Sequence, residues 1–129
     1  MTDQIDEPIE GAEILWRRLT PDWIKRAEDG SIIVASAAFL DNIDGNVSVH
    51  IASLTSIEDV LRAYPHCHVA AIEAQVVIDR GFTIKRDPLP DDPSHALIKP
   101  PPERRTKSVR KQYAREIARS AKLVDIANR

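Results

Sequence analysis

The chain has 129 residues, of which 43% are hydrophobic and 29% are charged. This length and balance fit one globular domain with tails. Its single cysteine, Cys67, excludes an internal disulfide framework, and no apolar run approaches the roughly 18 residues that cross a bilayer. The first 13 residues hold five acids and no Lys or Arg, unlike a secretory signal. We therefore expect a cytoplasmic protein that does not bind membranes.

Charge is distributed unevenly along the chain. Residues 1–98 hold 8 Lys/Arg and 17 Asp/Glu, a net charge of -9, whereas residues 99–129 hold 10 Lys/Arg and 3 Asp/Glu, a net charge of +7. Charge separation of this kind indicates what the protein binds and does not indicate its fold. The basic segment is expected to bind an acidic partner protein or nucleic acid. The alternative is that it pairs with the acidic body of its own chain or of a second copy, which would give a homo-oligomer.

The alternation of apolar residues and the residues typical of helix ends predict the first elements of the chain. Residues 1–12 resemble a disordered acidic leader, and alternation over 13–19 favours a strand. Thr20 and Pro21 suit the start of a helix, which Gly30 would end.

Two apolar runs then predict a hairpin. Residues 31–39 are apolar on both alternations, which is typical of a central strand buried on both faces. Residues 47–53 alternate, with Ser48 and His50 on the side away from the core. The turn cluster at 41–46 would join the two strands in an antiparallel pair.

The next segments mix helix and strand signals. Either Ser56 with Asp59 or Thr55 with Glu58 resembles the start of a capping box, so we expect a helix that ends near Tyr64. Residues 69–80 favour a second helix, with a strand as the rival because Val76 and its neighbours are β-branched. The later segments are a strand at 82–85, a rigid proline-containing loop at 87–93 and extended chain at 94–98.

Together these elements predict an α+β domain over residues 13–98. It would contain a small mixed or antiparallel sheet with helices on one face. A proline-rich basic linker, residues 99–106, would lead to a basic amphipathic helix over residues 107–129.

The C-terminal helix carries the clearest pattern in the chain. Its apolar residues recur at steps of four, four, four and three: Val109, Tyr113, Ile117, Ala121 and Val124. Its basic residues form one ridge: Lys111, Arg115, Arg119 and Lys122, extended by Arg104, Arg105, Lys107 and Arg110. Like charges at this spacing repel unless something anionic lies opposite. The ridge is thus the expected partner-binding surface; the alternative is an amphipathic helix that simply packs on its own domain.

Four residues suggest an enzymatic alternative. Arg17 or Arg18 would grip a phosphate or carboxylate, and His50 or His95 would transfer protons. No serine-hydrolase elbow, phosphate-cradling loop or dinucleotide fingerprint accompanies them.

A metal site has weaker support. His66 and His68 would share one face of extended chain, and His95 or His50 would have to complete a three-ligand set. An isolated pair of this kind lacks the second pair of a structural zinc motif. The acidic residues of the 87–93 loop match no calcium loop, so a solvated turn is favoured there. We predict neither a metal nor a cofactor.

Several segments resemble small bacterial proteins that carry no named activity. These segments are Trp23–Gly30, Ser36–Phe39, Ser48–His50 and Asp87–Ala96. The resemblance covers roughly residues 14–98, implies a bacterial source and supplies no catalytic residues. Our leading hypothesis from sequence is a non-enzymatic binding or accessory protein that acts through its basic helix. The alternative is a small enzyme for a phosphate- or carboxylate-bearing substrate.

Overall fold

The computed structural model describes residues 9–39, 46–99 and 107–124. The strands in these ranges are β1 (Ile14–Leu19), β2 (Ile24–Arg26), β3 (Ile32–Val34), β4 (Val47–Ile51), β5 (His68–Glu73), β6 (Thr83–Arg86), β7 (His95–Lys99) and β8 (Lys122–Leu123). The α-helices are α1 (Ile57–Leu61), α2 (Ala74–Ile78) and α3 (Lys107–Ser120). Short 3-10 helices lie at Pro21–Trp23, Ser36–Phe39 and Ala52–Leu54. Within these ranges no helix is long and apolar enough to cross a membrane.

Six strands form one antiparallel sheet in the order β6-β7-β4-β1-β5-β8, and β2 pairs with β3 in a separate ribbon. This arrangement confirms the α+β class and the antiparallel option. Neighbours in the large sheet are mostly distant in sequence, so its pairing depends on long-range contacts.

One face of the large sheet forms the core. Leu15, Leu19 and Ile51 are at most 1% exposed there, in one cluster with Phe39 of the Ser36–Phe39 helix. Helix α3 joins the same cluster through Ala114, Ile117 and Ala118. Its apolar side, predicted from the spacing, therefore packs on the domain.

A smaller buried set lies outside that cluster. Val60 of α1, Cys67 and Val69 are buried but do not belong to the main core, and α1 contacts β5. The side chain of Ser56 accepts a hydrogen bond from the backbone N–H of Asp59 at 3.1 Å. Of the two caps predicted for this helix, Ser56 is therefore the one that forms.

The predicted helix from Pro21 to Gly30 is wrong. A 3-10 turn at Pro21–Trp23 is followed by the β2–β3 ribbon, whose turn contains Gly30 at φ +88°. The β-branched residues Ile24, Ile32 and Val34 favour this ribbon over a helix. Gly30 supplies the left-handed conformation of the hairpin turn, not a helix end.

The predicted long strand over 31–39 is also wrong, and so is its hairpin with 47–53. Only Ile32–Val34 is a strand, followed by the 3-10 helix Ser36–Phe39. The alanine-rich run at 36–38 lacks the β-branched residues that sustain a strand. Strand β4 instead pairs with β1 and β7.

Two other boundaries differ from expectation. The segment 69–80 contains both rivals, β5 followed by α2. Helix α3 ends at Ser120, and β8 then pairs with the edge of β5. Of the predicted leader, residues 1–8 lie outside the described residues, whereas Ile9 is buried in the core. Residues 40–45, most of the predicted 41–46 turn, the linker 100–106 and residues 125–129 also lie outside them.

Candidate functional site

A row of three ring-bearing side chains crosses the sheet on the face opposite the core. Trp16 of β1 pairs with His50 of β4, and His50 pairs with His95 of β7. Residues that pair directly share a face, and Leu15 and Ile51, the adjacent pair, point into the core. The two imidazole centroids are 6.2 Å apart with planes at 78°. The surface around these two rings is called the histidine face below.

His50 is held by the loop that precedes β7. Its Nδ1 lies 3.0 Å from Oδ2 of Asp92 and 3.4 Å from Oγ of Ser94. The buried Ser94 hydroxyl donates to the other carboxylate oxygen of Asp92 at 2.6 Å, and the Ser94 backbone N–H donates to that oxygen at 3.1 Å. The carboxylate is thus fixed from one side by Ser94 and presents its second oxygen to His50.

His95 has a carboxylate partner of its own. Its Nδ1 lies 3.0 Å from Oδ2 of Asp87 and 3.1 Å from the Asp87 carbonyl oxygen. The Asp87 backbone N–H in turn donates to the carbonyl of His95 at 2.9 Å. Both groups facing Nδ1 are acceptors, so Nδ1 carries the hydrogen.

The same reasoning places a hydrogen on Nδ1 of His50, because Asp92 accepts there and the Ser94 hydroxyl is already committed to Asp92. Neither Nε2 atom has a hydrogen-bond partner in the described part of the chain, and neither is among its buried unpartnered atoms. Both Nε2 atoms therefore remain open to a ligand, although only 12% and 14% of the His50 and His95 side chains are exposed.

The electrostatics of the pair favour a neutral His50. Burial lowers its pKa below the ordinary histidine value, and the positive charge of Arg18 and the neighbouring His95 act in the same direction. The carboxylate of Asp92 acts to raise it and does not prevail. Partial burial raises the pKa of Asp92, but hydrogen bonds from Ser94 and the nearby His50 hold it below its usual range. At neutral pH the pair is a hydrogen bond from a neutral ring to a carboxylate.

Arg18 lies on the same face of β1 as Trp16, two residues along. Its guanidinium stacks 3.7 Å above the centroid of the Tyr64 ring. Among the described residues it makes no hydrogen bond or ion pair. Arg18 is thus a positioned cation with unused donors beside the histidine pair.

Arg17 lies on the opposite, core-facing side of β1. Its Nε donates to the carbonyl of Ala38 and its Nη1 to the carbonyl of Ser48, both at 2.9 Å. The guanidinium also lies 5.1 Å above the Trp23 ring. Burial, with the neighbouring charge of Arg18, lowers the pKa of Arg17 to about 10. The structure therefore brings His50, His95 and Arg18 together and separates Arg17 from them.

The histidines considered for metal binding are not gathered. His66 is exposed in the turn before β5, and His68 pairs with Leu19, which places it on the core side. His95 lies on the other face. No group of three or more His, Cys, Asp or Glu in the described residues could hold a metal ion.

The basic ridge of α3 is in part as predicted. Lys111, Arg115 and Arg119 are exposed, and none has an ion pair in the described part of the chain. Lys122 is exposed too but has left the helix, because β8 pairs it with Ala71. Arg110 is half-buried. Arg104, Arg105 and the side chain of Lys107 lie outside the described residues.

Sequence reasoning missed the carboxylates that orient both histidines. The sequence favours a solvated acidic turn for Asp87 and Asp92 and ordinary extended chain for Ser94. A usable signal exists: three aspartates, Asp87, Asp91 and Asp92, lie within the eight residues before His95, in a proline-rich loop. The link from Asp92 to His50 spans 42 positions and needs the β4–β7 register.

No protein-family model, curated protein or solved structure matches this chain. The geometry of the histidine face is what indicates a function. It offers two oriented imidazoles with open Nε2 atoms, one neutral at physiological pH, beside a cation with free donors. Such an arrangement can bind an anion and move protons.

Proposed function

We propose that the histidine face is an acid–base site that acts on a phosphate ester. The observation that carries the proposal is the matched pair of hydrogen bonds from Nδ1 of His50 to Asp92 and from Nδ1 of His95 to Asp87. Each bond fixes a ring and its tautomer, and both leave Nε2 for the substrate. Adjacent rings with the same free nitrogen can serve one reaction as base and acid.

Hydrolysis of a phosphate diester uses both groups. Nε2 of His50 accepts a proton from water as the water oxygen bonds to phosphorus. The phosphorus–oxygen bond to the leaving group breaks, and the departing oxygen takes a proton from protonated His95. The products are a phosphate monoester and an alcohol, and solvent returns the proton from His50 to His95. His50 is assigned as the base because its lowered pKa keeps it neutral at pH 7.

Arg18 supplies the anion contact. Stacking on Tyr64 restricts the side chain, while the guanidinium keeps its donors for two phosphate oxygens. A phosphate ester is favoured over a carboxylate-bearing substrate because its anionic group is also its reacting centre, so the cation beside the histidines would contact the group that reacts. Charge developing on the phosphate oxygens would be stabilised where Arg18 already lies.

The test is a kinetic comparison of matched histidine variants. The substrates are bis(p-nitrophenyl) phosphate, p-nitrophenyl phosphate and mono-p-nitrophenyl succinate, the last being the carboxylate-bearing counterpart. His50→Gln and His95→Gln should each lower kcat for the diester by roughly 10²- to 10⁴-fold. His66→Gln, at an exposed position in the turn before β5, is the control and should be unchanged. Equal rates in all four proteins, or a preference for the succinate ester, would contradict the proposal.

A second candidate function follows from the part of the basic ridge that is exposed on α3, which consists of Lys111, Arg115 and Arg119. These side chains lie about 6 Å apart along α3, since four residues rise about 1.5 Å each. All are exposed without ion pairs in the described part of the chain. The nearby Glu116 is engaged by Arg80 at 3.0 Å and does not neutralise them. This favours a polyanionic partner, either nucleic acid or the acidic surface of a protein.

This candidate is tested by salt dependence in the full chain. Truncation before α3 would expose the core beneath Ile117, so charge-neutralising substitutions are the cleaner perturbation. Three phosphate contacts on duplex DNA predict a slope of log K against log salt of about −2.7. Replacing one ridge residue by Gln should reduce it by about 0.9. Lys25→Gln, at an exposed site on β2, is the control. An affinity that does not change with salt concentration would contradict this candidate function. Tighter binding of polyglutamate than of duplex DNA would indicate an acidic protein as the partner.

A further inference from the structure

Trp16 occupies a place that the acid–base chemistry does not use. It pairs with His50 on one side and with Ala71 of β5 on the other. All three side chains share the face opposite the core. Trp16 is partly exposed and does not belong to the core cluster. Exposure of a large apolar ring on a polar surface is unfavourable in free energy. Its position suggests a ligand-contacting role.

No bulky side chain lies directly opposite the Trp16 indole on the neighbouring strand β5. Its neighbour Ala71 is small and half-buried, and the next strand on that side contributes the exposed Lys122. The side chain opposite the indole is therefore a single methyl group, and Trp16 itself is partly exposed. A flat group can lie against the indole without displacing a bulky side chain.

The distance from this platform to the histidine pair suits a nucleotide. Adjacent strands are about 4.8 Å apart, so Trp16 lies about 7 Å from the midpoint between His50 and His95. A ribose spans a gap of this kind between its base and its phosphate. Arg18, on the same strand as Trp16, lies where the phosphate would be held.

We infer that the substrate is a short oligonucleotide, a phosphate diester whose base stacks on Trp16 while its phosphate lies between Arg18 and the histidines. This inference rests on the proposed function, since it names the substrate class of the same site. Stacking of a base on an aromatic side chain contributes about 1–3 kcal/mol. The ring should therefore improve affinity by roughly ten- to hundredfold over the same phosphate without a base.

Tryptophan fluorescence tests this directly, because the chain has two tryptophans. The variant Trp23→Phe keeps a ring beside Arg17 and leaves Trp16 as the single reporter. It is titrated with adenosine 5′-monophosphate, uridine 5′-monophosphate and ribose 5-phosphate. The nucleotides should quench Trp16 emission and bind at least tenfold more tightly than ribose 5-phosphate. Equal affinity for nucleotide and sugar phosphate would overturn the inference.

Substitution of the platform supplies the second arm, read by calorimetry in the full chain. Trp16→Leu should remove the nucleotide preference, and Trp16→Phe should restore most of it, with circular dichroism as the check of folding. A preference unchanged in Trp16→Leu would also overturn the inference. Failure of the proposed function has a different signature. If nucleotides stack on Trp16 but turnover is absent or independent of His50 and His95, the catalytic proposal fails while the stacking site stands.

Discussion

Neutralising Arg17 and Arg18 in turn should have opposite consequences, although the residues are adjacent. Arg17→Gln removes two charge-assisted hydrogen bonds, to the carbonyls of Ala38 and Ser48. Hydrogen bonds to charged groups contribute about 1.5–3 kcal/mol each. Water can reach the Ser48 carbonyl, so we expect a combined loss of about 2–4 kcal/mol rather than the full sum. Such a loss is a large part of the total for a domain of this size.

Arg18→Gln removes one stacking contact with the exposed Tyr64, which contributes about 0.5–1 kcal/mol. Urea unfolding followed by circular dichroism measures both variants against the parent chain. The Arg17 variant should show the large shift in midpoint, and the Arg18 variant should keep its stability but lose phosphate-ester affinity. Similar destabilisation by both, or greater destabilisation by Arg18→Gln, would refute the assignment of the two side chains to opposite faces of β1.

Three further predictions follow from the same geometry. The lowered pKa of His50 means that the folded state binds its proton less readily than the unfolded chain, so stability should fall as pH drops through about 6.5. Urea unfolding at pH 8 and 5.5 should show this, and His50→Gln should reduce the difference; an unchanged difference would count against it. Asp92→Asn should lower kcat at least about tenfold with little effect on KM, since it disturbs the tautomer of His50 rather than substrate contact; a change confined to KM would argue otherwise. Ile117→Ala, at a site 2% exposed, should cost about 2–5 kcal/mol in thermal or urea unfolding, whereas Arg115→Gln should cost almost nothing; equal effects would show that α3 does not belong to the core.

Local patterns in the sequence predict those elements in which buried residues recur at a regular spacing. Val47, Val49 and Ile51 alternate with Ser48 and His50, and their burial in β4 follows that alternation. The Ser56 cap and the apolar side of α3 follow in the same way from spacing alone. Each of these depends on neighbours within a few residues.

The errors have a common physical origin in long-range pairing. The apolar run at 31–39 has the hydrophobicity of a central strand, but its second half lacks β-branched residues, and Ser36–Phe39 forms a 3-10 helix beneath α3. A central position in the large sheet is occupied instead by β1, which pairs with β4 and β5. No local signal in the chain specifies that order.

The candidate site also combines features that local patterns predict with features that depend on long-range pairing. Alternation along β1 requires that Arg17 and Arg18 point to opposite faces, but only the β1–β4 register decides which of them joins His50. Likewise His50 and His95 could be nominated as acid–base residues from their chemistry. Their aspartate partners become visible only when β7 and its preceding loop lie beside β4.

The most direct test of the histidine face is a nitrogen-15 NMR titration of the histidine rings at pH 8, with bis(p-nitrophenyl) phosphate added to the full chain. The account predicts that His50 and His95 both hold the Nδ1–H tautomer before addition. It further predicts that the Nε2 resonances of these two rings shift as the ester binds, while those of the exposed His66 do not. An Nε2–H tautomer at either ring, or shifts no larger than those of His66, would contradict it.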